Sequence, residues 1–130
     1  MPVGEARFSL FGIIAENFGM TRILDQIVAD VSTAKDLARA ALPQALAATV
    51  DMLKVGESLL AAMGSIEQVA WEEHLDNPES RANAFAICAL IYGDLSHSDW
   101  DALDQHIRNR VAARRSFLRD QFSAVDNSHS

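Results

Sequence analysis

Apolar residues recur every three or four positions along most of the chain. In residues 5–18, Phe8, Phe11, Ala15 and Phe18 keep that spacing, close to the roughly 3.6 residues of a helical turn. Leu10, Ile13 and Ile14 spread the apolar surface beyond one stripe, Gly12 leaves room for a neighbouring backbone, and Gly19 supplies a C-terminal stop. Thr21 can cap the next helix, whose face is Leu24, Ile27, Val28 and Val31. Ser32 and Thr33 offer a second cap, so residues 21–42 read equally well as one helix or two. Pro43 ends that segment and can open a long helix to about Met63. Leu46, Val50, Leu53 and Leu60 line one stripe of it, and Met52, Val55, Leu59 and Met63 line a second. Gly56 within this helix suggests a close crossing, and Gly64 a stop. Ser65 to Gln68 then matches the S-x-x-Q capping box, for a short helix to about His74.

Asn77 and Pro78 read as the cap and first turn of a further helix, which Gly93 closes. Its segment from Ala82 to Gly93 holds no charged residue. A helix apolar all round belongs inside a core. A segment this short cannot cross a bilayer, which takes roughly 20 residues as a helix. Ser98 can cap the last helix, where Trp100, Leu103, Ile107, Val111, Leu118 and Phe122 share a face. No strand or hairpin turn stands out. The pattern predicts an all-α fold, a compact bundle of five to six helices around a central apolar helix at about 78–92. One domain spans residues 1–122, and the polar residues 123–130 are expected to form a disordered tail.

The chain has 130 residues, 49% of them hydrophobic and 22% charged, which is ordinary for a globular domain. Its formal charge of −7 disfavours wholesale nucleic-acid binding, because phosphate backbones are repelled. The one cysteine, Cys88, cannot form an internal disulfide. No signal peptide is expected, no segment is long enough to span a membrane, and the expected compartment is the cytoplasm.

Charge is distributed unevenly. Arg108, Arg110, Arg114, Arg115 and Arg119 are five of the chain's eleven basic residues. Residues 1–107 hold six basic against sixteen acidic groups. On a helical wheel Arg108, Arg115 and Arg119 fall beside the apolar face and Arg114 falls within it. Two bland accounts compete: a solvated face with buried stems, and pairing with the chain's own acids. The functional account is a docking surface for an acidic partner.

Other constellations fail on their chemistry. Asp94 to Gln105 resembles a calcium loop, but Asp99 stands where Gly is needed and Gln105 where a bidentate Glu is needed. Trp71 stands where a Glu-x-x-His ligand pair ending at His74 needs its acid. Ser96, His97 and Asp99 are neighbours in sequence, which is not triad geometry. The helix after Asn77 offers base edges little beyond Arg81 and Asn83. No cofactor, metal site or catalytic group is therefore expected. The leading reading is a non-enzymatic regulatory or adaptor protein that binds another protein through the five arginines. A homodimer is expected through Phe8, Leu10, Phe11, Ile13 and Ile14, whose apolar surface exceeds what one core can cover. Two alternatives remain. One is a DNA-associated transcription regulator using the arginine helix. The other is a small-molecule sensor or enzyme with a pocket near Trp71, Tyr92 and Trp100.

Overall fold

In a computed structural model, the chain is described over residues 20–129, and its side chains over residues 23–123. The helix expected at 5–18, its two glycines and the dimer surface Phe8, Leu10, Phe11, Ile13 and Ile14 lie outside the described residues. Those residues form five α-helices and one 3-10 turn, with no strand among them. They are α1 (Met20–Ala41), α2 (Gln44–Asp51), α3 (Gly56–Gln68), the 3-10 turn (Glu72–His74), α4 (Asp76–Ile91) and α5 (His97–His129). No described helix is long and apolar enough to cross a membrane. The chain divides into two compact units, residues 1–33 and 34–130.

The described part of the first unit is the start of α1, where Ile23, Leu24, Ile27, Val28 and Val31 are all exposed. Of residues 21–42, all but Leu42 lie in one helix rather than two, and Ser32 and Thr33 lie inside it. A local cap signal is outweighed where helical spacing continues on both sides.

The second unit is an all-α bundle. Ala38, Leu42, Leu46, Val50, Leu59, Met63 and Ile66 meet Leu103, Ile107 and Val111 in one core. Two ion pairs tie the end of α1 to α2 and α3. Arg39 grips Asp51 with Nε at 2.9 and 3.1 Å from the two carboxylate oxygens. Lys35 reaches Glu57 at 3.0 Å. The hydrogen bond from Arg39 holds the Asp51 carboxyl below its ordinary range.

The long helix expected from Pro43 to Met63 is broken. Pro43 is the N-cap of α2, and Met52 and Leu53 donate to Thr49 and Val50 in tight i to i−3 bonds that end it. Gly56 then starts α3, and a Cβ there would collide with the Val50 carbonyl oxygen. The break shifts the helical phase, so Met52 of the expected second stripe is exposed. Gly64 is not a stop. It lies within α3, where a Cβ would sit 2.9 Å from the Ala34 carbonyl oxygen and 3.0 Å from its Cβ. Gly56 makes the turn and Gly64 makes the close crossing, the reverse of the assignment from local pattern. Ser65 does not open a capping box either. Its hydroxyl donates back to the Ala61 carbonyl at 3.0 Å, and only the 3-10 turn follows α3.

α4 lies close to its expected bounds and packs on both α3 and α5. Its surroundings differ from expectation. The buried face is Pro78, Ala82, Ala86 and Ala89, whereas Ile87, Ile91 and Tyr92 are 44%, 75% and 78% exposed. Small side chains let α4 approach its neighbours, Phe85 packs partly buried against the core, and Ile87, Ile91 and Tyr92 point away. Gly93 ends the helix at φ +78°, with Asp94 and Leu95 donating back to the Ala89 carbonyl. Ser96, two residues before the expected Ser98, caps α5 by accepting from the Asp99 amide at 3.1 Å. α5 runs past the expected end near Phe122 to His129; no Gly or Pro follows to stop it.

Candidate functional site

Four of the five arginines of α5, all but Arg108, reach the end of α3 and the segment that leaves it. Arg110 Nε donates to Glu67 at 2.6 Å. One turn on, the Arg114 guanidinium donates twice to the Val69 carbonyl, at 3.0 and 2.7 Å. Val69 is the C-cap of α3, so Arg114 brings positive charge to the negative end of that helix. Its Cζ also lies 4.7 Å from the centroid of the Phe117 ring. Arg119 donates to one Glu72 oxygen at 3.0 and 2.6 Å, and Arg115 reaches the same oxygen at 3.3 Å. The hydrogen bond from Arg119 holds the Glu72 carboxyl below its ordinary range; partial desolvation opposes this, and the charges of Arg119 and Arg115 add to it. Arg108 pairs along its own helix with Asp104 at 3.0 Å.

All five arginines therefore have partners within the chain. Arg114, which falls on the apolar face of the wheel, neither escapes to solvent nor meets a carboxylate; it meets a backbone carbonyl. Spacing of about four residues along α5 matches the path of residues 67–72, because each turn rises about 5.4 Å. Glu67, Val69 and Glu72 were not legible as partners. The basic residues show a helical period in the sequence, but their acceptors sit on a segment with no period of its own.

Beside the last of these pairs lies an open cavity of about 340 Å³, lined by Ala70, Trp71, Glu72, Glu73, Leu118, Arg119 and Phe122. Leu118 is its buried floor. The rings of Trp71 and Phe122 form its walls, 6.0 Å apart between centroids and tilted by 57°. They are 50% and 57% exposed, a large apolar area to leave in water. Of Trp71, Tyr92 and Trp100, the residues expected to border a pocket, Trp71 lines this cavity and the other two do not. Trp100 packs against the core and stacks edge-on with His97 at 5.6 Å, and Tyr92 stands on the outer face of α4.

Among the described residues, no three His, Cys, Asp or Glu side chains are grouped to hold a metal. Asp94 and Ser96 precede α5, and Ser98 lies inside it. Cys88 is exposed on α4 rather than packed in a core. His106 has a buried Nε2 with no hydrogen-bond partner. Burial, and next the charge of Arg110, push its pKa down, with Glu67 opposing.

The fold and this site define a small all-α module with an arginine-edged aromatic groove. No family model matches the chain, and no curated protein or solved structure matches it.

Proposed function

We propose that the protein is a non-enzymatic regulatory or adaptor module that binds another protein in the groove between Trp71 and Phe122. The observation carrying this reading is that two large aromatic side chains stay half exposed around an open cavity with Arg119, Glu72 and Glu73 at its edge. Trp and Arg dominate binding energy where a partner fills a pocket of this kind. The groove suits a bulky apolar side chain. Arg119, Glu72 and Glu73 share the lining, so polar groups beside the incoming apolar one would meet both a donor and acceptors. This narrows the role of the five arginines. Arg110 and Arg114 act as fastenings between α5 and the exit of α3, Arg108 pairs locally, Arg115 supports Glu72, and Arg119 belongs to the rim.

Affinity capture from the native host, with identification by mass spectrometry, tests the proposal when run with the wild type and with Trp71→Ala/Phe122→Ala. The wild type should capture a partner that the double variant binds at least tenfold more weakly, about 1.4 kcal/mol, while its circular dichroism stays helical. A folded double variant that retains the partner with wild-type affinity would refute the groove as the docking surface.

A further inference from the structure

We infer that the outer face of α4 docks a second copy of this chain, antiparallel, with the two-fold axis between Ile87 and Cys88. This surface is separate from the Trp71–Phe122 groove and does not depend on it. Ala84, Ile87, Cys88, Ile91 and Tyr92 follow the i, i+3, i+4, i+7, i+8 pattern of a single helical stripe, and all five are exposed. They lie opposite Ala82, Ala86 and Ala89, the face that α4 buries in its own core. α4 therefore carries two apolar faces, and only one is covered within the unit.

Charge selects the occupant. A chain of net charge −7 repels its own copy over most of its surface. The stretch from Ala82 to Gly93 has no charged residue, so it can meet itself without like-charge cost. The two charged residues flanking it are Arg81 and Asp94, of opposite sign, and neither makes an ion pair among the described residues. In an antiparallel pairing centred between Ile87 and Cys88, each residue meets the one equally far beyond the centre. Ala84 then faces the partner's Ile91, Ile87 faces the partner's Cys88, and Arg81 comes to the C-terminal end of the partner's helix, which carries partial negative charge. Small meets large, positive meets negative, and symmetry repeats every contact, as an isologous interface requires. A parallel arrangement would set Arg81 against its own copy.

Sedimentation equilibrium on the full chain at about 0.1 mM, where small transient interfaces associate, tests this. The wild type should approach dimer mass, and Ile91→Glu should be monomeric with an unchanged helical spectrum and melting temperature. Arg81→Asp should weaken the dimer at least tenfold, and Arg81→Lys should retain it. Mild oxidation should give a disulfide-linked dimer through Cys88, close to the axis, and Ile91→Glu should suppress it. A monomeric wild type, or a dimer that survives Ile91→Glu, would overturn the proposal. Wild-type association of Arg81→Asp would overturn the antiparallel register. None of these readouts involves the groove, so this surface and the proposed partner site stand or fall separately.

Discussion

Replacing Arg114 by Met removes the fastening between α5 and the end of α3 while keeping most of the apolar stem. Two charge-assisted hydrogen bonds to the Val69 carbonyl are lost. Bonds to a charged group contribute about 1.5–3 kcal/mol where buried, and the half-buried position of Arg114 places it at the lower end. The contact with the Phe117 ring adds about 0.5 kcal/mol at such a site. Methionine recovers part of the packing, which leaves a net loss of about 2 kcal/mol. For a unit of this size that lowers the melting temperature by about 8 °C or more. Arg108→Met is the control, since its i, i+4 pair with Asp104 is exposed and contributes only about 0.3–0.5 kcal/mol. Thermal denaturation followed at 222 nm reads both variants. If Arg114→Met melts with the wild type, or no lower than Arg108→Met, the guanidinium is not securing the end of α3.

Three other perturbations have definite signs. Gly64→Ala pushes a methyl group against the Ala34 backbone, and overpacking at such a crossing costs about 1–3 kcal/mol; a chemical denaturation midpoint equal to wild type would contradict the crossing. Ile87→Asp should stay folded with little change in melting temperature, because Ile87 is partly exposed, whereas Ala86→Asp, on the buried face, should unfold the unit; the opposite order would mean that the faces of α4 are reversed. The folded-state pKa of His106 is pushed below its usual 6.5, so the unfolded chain takes up the proton first and stability falls as pH drops below about 6.5. The carboxyls of Asp51 and Glu72 are likewise held low. Their contributions are present above their unfolded values and are lost as pH falls through the folded ones, which adds a second decline below about pH 4. Melting curves from pH 7 to 3 should show both, and His106→Gln should remove the first.

Helix content was legible because long periodic segments report it directly, and α4 and α5 lie near their predicted positions. Local pattern misleads where one residue type serves two geometries. Glycine marks a turn at Gly56 and a helix crossing at Gly64, and only the path of the chain separates the two roles. Serine caps α5 at Ser96 but bonds back inside α3 at Ser65. The face of α4 is hidden for a related reason: large apolar residues look like core, yet here Ala82, Ala86 and Ala89 face inward. Close helix packing needs small side chains, and a uniformly apolar stretch has no polar face to show which side is outside.

The uneven charge of the chain has a structural origin that bears on function. Between the end of α3 and the start of α4 the backbone forms only a single 3-10 turn. Such a segment has few internal hydrogen bonds, so side chains elsewhere must fix its course. α5 runs alongside and supplies donors at successive turns: Arg110 to Glu67, Arg114 to Val69, and Arg115 with Arg119 to Glu72. Arginine suits this role better than lysine because its planar fork donates twice to one acceptor, as Arg114 and Arg119 both do. The charge cluster is therefore accounted for largely by architecture. What it does not account for is the half-exposed state of Trp71, which this segment carries, and of Phe122, which lies beyond the last paired arginine. Fixing the segment sets Trp71 against Phe122, so the ion pairs that satisfy the arginines also position one wall of the groove. A pre-formed apolar groove binds at lower entropic cost than a mobile one.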